Sequence, residues 1–413
     1  MQRRSAAPAV DAISSLPDSI LSRILSLLSI KEAVATSILS KRWIHVWHFV
    51  DSIDFPDAIK LMDSQSIIIF NNFMDSVLVS RDASGSHFIN SFRLKIDYGN
   101  RNIARNLGFS NVTKWVDLVV QGGLKYLCLN LDVYDYDDDD LIDQKPILPI
   151  SILSCKTLVS LDLARFCVKG FTFSGFPSLN QLHLNKIVFQ QDRDFMLLLA
   201  GCPNLEDLRA TNIDFYDGNS FTIQEFESVN LPKLISAVIT QFWCLCFPLK
   251  ALSNSEYLCL EMSMLCTKDH EVYHYEMDVQ CPFYEIPIFH NLTHLELHGR
   301  LELVLQKLQH FPNLQKLELH EASFAMWGNQ ENDPQNWMEP EVVPQCLSSH
   351  LSTCTIHNFE GTQIELMLIK YILKNARNLQ MMRMQNIRVH RDEIERKLST
   401  FPKASATCQL VFY

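Results

Sequence analysis

A six-residue frame, apolar–x–x–apolar–x–apolar, recurs along this 413-residue chain and limits what it can fold into. Leucine fills all three positions at Leu124-Leu127-Leu129, Leu158-Leu161-Leu163, Leu179-Leu182-Leu184, Leu292-Leu295-Leu297 and Leu314-Leu317-Leu319. With 55 leucines in 413 residues, chance gives about one such copy, so the repetition is a structural signal. Weaker copies begin at Ile89, Leu205, Leu234, Ser255, Leu351 and Leu379, at intervals of 21 to 37 residues. In Leu292-Thr293-His294-Leu295-Glu296-Leu297 the last three residues alternate, so Leu295 and Leu297 face a core and Glu296 faces out. Strands of this kind stack in parallel along the concave wall of a solenoid, with helices or irregular turns behind. Cys128, Asp162, His183, Asp207, Cys259, Glu296 and Glu318 then line that wall, each by itself reading as a solvated strand residue.

Composition narrows the function. The chain has 36 basic and 47 acidic residues, a net charge of −11, which disfavours a nucleic-acid partner. Only 12 residues are glycine, against an average of roughly 7%; neither G-x-G-x-x-G nor a P-loop occurs, so no cofactor is expected. No run approaches the ~18 apolar residues of a membrane span, and residues 1–10 lack the apolar centre of a signal peptide. The twelve cysteines therefore read as reduced, mostly buried thiols, and the expected location is cytoplasm, nucleus or both.

Residues 14–50 read as three closely spaced helices. Pro17 suits a first helical turn, followed by one apolar stripe of Ile20, Leu21, Ile24, Leu25 and Leu28. Ser29-Ile30-Lys31-Glu32 has capping-box spacing and starts a second helix carrying Ala33, Val34, Ser37, Ile38 and Leu39. Ser40 is placed to cap a third, bearing Trp43, Val46, Trp47 and Val50. So short a segment cannot bury this much apolar surface by itself. It either caps the following domain or docks on another protein.

The run Leu16-Pro17-Asp18, Ile20, Ile24-Leu25, Leu28, Lys31-Glu32-Ala33-Val34, Thr36-Ser37, Leu39-Ser40-Lys41-Arg42-Trp43 and Trp47 resembles a plant F-box over about residues 13–55. The resemblance implies a surface for the small Skp-family linker subunit of a Skp–cullin–F-box ubiquitin ligase. By family pattern its contacts are Leu16, Pro17, Ile20, Leu21, Ile24, Leu25, Leu28, Val34, Ser37, Leu39 and Trp43. Some of these must also hold the three helices together. The middle intervals lie near the leucine-rich-repeat period. His357-Asn358-Phe359-Glu360-Gly361, Glu365, residues 370–376, Leu379, Ser405 and residues 408–412 resemble the FBD region that follows F-box and leucine-rich repeats in plants. There, Thr362 to Glu365 has capping-box spacing ahead of a helix. Strands are expected at 351–356, 379–384 and 408–412, and a charged helix at 391–398.

His270-Glu271-Val272-Tyr273-His274 matches the H-E-x-x-H pattern of zinc proteases. That pattern needs a helix, but the following residues alternate as a strand does, which separates the two histidines by ~13 Å. No metal site is assigned. Cys244 and Cys246, with Cys259 and Cys266, read as core thiols, and the acidic run 134–140 as a solvated loop.

The expected fold class is α/β: a three-helix F-box, an irregular leucine-rich-repeat solenoid with a parallel sheet on its concave face, and a C-terminal FBD cap. Boundaries are set at 1–12 for a flexible tail, 13–55, 56–345 and 346–413. The expected role is a non-catalytic adaptor, linked through the Skp-family subunit to cullin and binding an unknown protein substrate through its repeats. No nucleic acid, membrane, cofactor or metal is expected. The alternative is a repeat protein that binds a protein or a small ligand outside any ligase.

Overall fold

Each copy of the frame in the described part of the chain becomes a strand with its apolar residues inside. The structure is a computed structural model and describes residues 13, 15–86, 88–133, 145–217, 228–242, 247–261, 286–321, 337–387 and 391–413. The acidic run 134–140, the motif at 270–274, and Cys244, Cys246 and Cys266 lie outside these residues. The chain divides into two units, Met1–Ser178 and Leu179–Tyr413.

The first unit opens with helices α1 (Asp18–Leu25) and α2 (Ile30–Ala35) and the single turn α3 (Trp43–Val46). Strands β1 (Ser52–Asp54) and β2 (Ile59–Leu61) follow, then helix α4 (Ser64–Ala83), strand β3 (Ser91–Tyr98) and helix α5 (Phe109–Val120). Strands β4 (Tyr126–Val133), β5 (Ser160–Ala164) and β6 (Cys167–Val168) complete the unit. Strand β4 runs parallel to β3 and β5, with Phe92, Leu127 and Leu161 in one register. Strands β1 and β2 pair in parallel with successive halves of β3. The frame therefore begins one copy earlier than the sequence pattern suggests, at Val50-Ile53-Phe55, all buried. No expectation above covers α4. It buries Ile67, Phe70, Met74, Val77 and Leu78 but exposes Ile68, Ile69 and Val79, so its apolar stripe is blurred. Trp115 of α5 donates to Asp75 of α4 at 2.8 Å and joins the two helices.

The second unit contains β7 (Gln181–Asn185), β8 (Val188–Gln191), helix α6 (Asp192–Ala200), β9 (Asp207–Asp217), β10 (Ser236–Phe242), β11 (Tyr257–Glu261), β12 (His294–Gly299), β13 (Lys316–Glu321), β14 (Thr353–His357), helix α7 (Gln363–Asn375), β15 (Met381–Met384), helix α8 (Arg391–Ser399) and β16 (Gln409–Phe412). Its strands order β7-β9-β10-β11-β12-β13-β14-β15-β16 in an open sheet, every pair parallel. Register holds one frame position from end to end: Leu182, Leu208, Ala237, Leu258, Leu295, Leu317, Cys354, Met382 and Leu410. The C-terminal stretch is therefore built as further repeats, including a copy at Ser405-Cys408-Leu410 that the apolar pattern hides behind a serine. Thr362 and Glu365 form the expected capping box at the start of α7.

Two backbone devices keep the repeats in step. The carbonyl just before a strand accepts two successive N–H groups of the next repeat. Thr293, for example, accepts from Gln315 and Lys316, both at 2.9 Å, and Gln315 accepts from Ser352 and Thr353. Because these are main-chain groups, the spacing survives wide variation in side chains. In several repeats the chain turns left-handed two residues beyond the last frame position: Arg165, Lys186, Asn212, Gln241, Asn358 and Asn386 all have φ between 51° and 69°, and Gly299 occupies the equivalent place. Asparagine and glycine tolerate this conformation, whereas Arg165, Lys186 and Gln241 take it at a steric cost.

Candidate functional site

The stripe on α1 is divided by the helix geometry. Successive residues lie about 100° apart, so Leu21 and Leu25 turn inward while Ile20 and Ile24 remain exposed, as does Leu28 in the turn that follows. Leu21, Leu25, Ile30, Ala33, Trp43, Val46 and Trp47 are buried. Of the residues expected to meet a linker subunit, Leu21, Leu25 and Trp43 thus belong to the unit's own core and shape the surface from beneath. Pro17, Ile20, Ile24, Leu28 and Leu39 are exposed, and Leu16, Val34 and Ser37 are half-buried. Leu27 and Ile38, absent from the family pattern used above, are 85% and 86% exposed. The sequence places Ile38 among the apolar positions of the second helix, whereas Leu27 lies off the stripe of the first.

Local chemistry holds this surface in place. Pro17 occupies the N-cap of α1, one position ahead of the first turn expected for it. The Arg42 guanidinium bonds Asp18 (Nε to Oδ1, 2.9 Å) and the Leu16 carbonyl, tying the start of α1 to the chain entering α3. Ser29 and Glu32 form the predicted capping box, with the Ser29 N–H donating to Glu32 at 3.0 Å. The hydrogen bonds from Ser29 also hold the Glu32 carboxyl below its ordinary range. After α2 the chain tightens into the 3₁₀ turn Thr36–Ile38, which carries Ile38 outward. Ser40 does not cap α3. That turn starts at Trp43 with Arg42 at its N-cap, and only the Ser40 carbonyl takes part, accepting from the Trp43 N–H at 3.0 Å.

The outward sheet residues of each unit interact with one another. In the first unit Cys128 donates its S–H to Asp162 at 3.4 Å, and burial pushes the Cys128 thiol up to about 12. In the second, His183 and Asp207 are 2.9 Å apart, and the bond from His183 holds the Asp207 carboxyl low despite burial. Strands β11–β14 carry a denser network. Glu296 accepts from His298 (3.1 Å) and Tyr257 (2.9 Å), and its carboxyl is held well below the usual range, by His298 first and then by the close His320. Glu318 contacts His294 at 3.0 Å and His357 at 2.9 Å. Burial alone would push its carboxyl up, but Lys316, His357 and His294 together bring it down to about 2. The Cys259 thiol beside them is buried and pushed up to about 12. Single-position reasoning could not find this network, because its members come from four strands.

The F-box domain family matches residues 13–53. The family described as the LRR repeats of FBD-associated F-box protein At5g56370 matches residues 112–281, and the FBD family matches residues 339–384. The chain carries an F-box, leucine-rich repeats and an FBD region, in that order. Curated relatives run the length of this F-box chain. FBD-associated F-box protein At5g56370 of Arabidopsis thaliana is 28% identical over 458 residues, covering 98% of this chain and 100% of the relative. F-box/FBD/LRR-repeat protein At4g00160 of the same plant is 27% identical, covering 97% and 94%, and At3g26920 is 28% identical, covering 97% and 96%.

Proposed function

We propose that this F-box chain is the substrate-recognition adaptor of a Skp–cullin–F-box ubiquitin ligase, acting in the cytoplasm or nucleus. Its exposed N-terminal apolar surface would receive a Skp-family linker subunit and, through it, cullin. Its repeats would hold a protein substrate. The observation that carries the reading is the division of apolar residues in the N-terminal helices. Leu21, Leu25, Trp43 and Trp47 satisfy the core, yet Ile20, Ile24, Leu27, Leu28, Ile38 and Leu39 stay exposed around them. So dense a set of exposed aliphatic residues marks a docking surface. The role asks for no chemistry from the chain, since proximity between a bound substrate and another subunit's active site supplies the rate. Among the described residues no helix is long and apolar enough to cross a membrane.

The test is co-expression with a plant Skp-family linker, followed by purification on the linker. The full chain is expected to co-elute and to recruit cullin. Ile24→Asp with Leu28→Asp should abolish co-elution while the circular dichroism spectrum persists. Retention of the linker by that variant, or no capture of the unaltered chain, would overturn the reading.

A further inference from the structure

The outward face of the second unit holds a cluster for which the adaptor role has no use. Register places His298, His320 and His357 side by side on β12, β13 and β14. Their rings stack, His320 lying 4.3 Å from His298 at 1° and 3.9 Å from His357 at 8°. Glu296 and Glu318 are register partners on β12 and β13. The oxygens of Glu318 divide their work: Oε1 meets His294 and Lys316, while Oε2 faces His357 Nε2 at 2.9 Å. His320 is the exception. Its Nε2 is sealed from solvent and lies 2.9 Å from Glu296 Oε1, but the contact lacks the alignment of a hydrogen bond. That contact is close but poorly aligned, and a bound electrophile would satisfy the buried nitrogen more fully.

We propose that Glu318, His320 and His357 bind a divalent transition-metal ion of the zinc class. Their ligand atoms lie within 4.8 Å of one another, and imidazole with carboxylate is a donor set that suits zinc. Bonds of about 2.0–2.1 Å in a tetrahedral shell set ligand atoms roughly 3.4 Å apart. The 2.9 Å from Glu318 Oε2 to His357 Nε2 therefore needs to open by only about half an ångström. The His320 and His357 rings must also splay from their near-parallel stack so that both lone pairs converge. A second set, Cys259, Glu296 and His298, has equally close ligand atoms. It is the weaker choice because one of its ligands is the buried Cys259 thiol, which would have to give up its proton to bind. Three protein ligands leave a fourth position for water or for a donor group on a molecule bound to the sheet. The site does not depend on the ligase role, and a chain that fails to bind a linker subunit could still hold the ion.

The full-length protein, stripped with a chelator, is titrated with Co²⁺ and the visible absorption of tetrahedral cobalt is followed, after which Zn²⁺ is used to displace it. One equivalent of Co²⁺ is expected to bind and to be displaced by Zn²⁺. His320→Ala and, independently, His357→Gln should each weaken binding by at least the roughly 10- to 100-fold that loss of even an outer-shell partner costs. Circular dichroism identifies any variant that has lost its fold, and the two substitutions serve as alternates. His270→Ala with His274→Ala removes the H-E-x-x-H motif and should leave binding unchanged. The proposal fails if the chain takes up no Co²⁺, if folded His320→Ala and His357→Gln bind as the parent does, or if binding is lost with His270 and His274 instead.

Discussion

Truncating Ile38 separates docking from folding. Ile38 is 86% exposed, so nearly all of its side chain is free to be covered by a partner. Fully burying such a side chain contributes about 1.5–3 kcal/mol, and alanine retains part of that area, leaving a loss of about 1–2.5 kcal/mol. The linker Kd should rise roughly 5- to 60-fold. Stability of the free chain should change by no more than about 0.5 kcal/mol, as for other surface substitutions. Leu25 is the contrasting position, at the end of α1 and 1% exposed. Leu25→Ala should cost about 2–5 kcal/mol of stability through the cavity it leaves, and should weaken linker binding only as far as it unfolds the module. Isothermal titration with a purified Skp-family linker gives the first quantity, and urea unfolding gives the second. If Ile38→Ala binds as tightly as the parent, the docking face does not include the 3₁₀ turn, and the argument from exposure fails there.

Three further outcomes follow from the fold. Lys186 sits at φ 54°, so Lys186→Gly should raise stability by about 0.5–1 kcal/mol despite the added freedom of the unfolded chain; a lower urea midpoint would contradict this. Glu365 is buried and accepts from the Thr362 N–H at 2.7 Å and the Glu360 N–H at 3.2 Å. Glu365→Ala strands both donors and should cost about 2–5 kcal/mol, measured by urea unfolding against a Glu365→Gln control that keeps one acceptor. Asp207 has a folded pKa below its ordinary 3.8, owing first to the His183 bond. Its contribution is therefore present above the unfolded value and is lost as pH falls through the folded one. Asp207→Asn should accordingly destabilise at neutral pH and approach the parent under acid conditions; an equal difference at both would refute the linkage.

Much of the architecture was legible because a strand exposes its period directly. Leu295 and Leu297 lie two residues apart with Glu296 between them, and side chains two apart must share a face whatever surrounds them. The same holds for the capping boxes at Ser29 and Thr362, where donor and acceptor are three residues apart and need no tertiary partner. Signals weakened where frame positions were filled by less typical residues, as at Ser405, or where exposed aliphatics blurred the period, as with Ile68 and Ile69 in α4.

What the sequence determined by itself was local: the frame, the parallel strands it implies, and the excess of apolar residues in the first fifty. Tertiary structure decided which apolar residues were left over. Leu25 ends α1 and the chemically alike Leu28 follows three residues later in the turn, and only the packing of Trp43 and its neighbours turns one inward and leaves the other out. It also decided the His298–His320–His357 stack, since these residues come from repeats of unequal length. Their meeting depends on a register set by main-chain hydrogen bonds between strands, and no spacing along the chain records it.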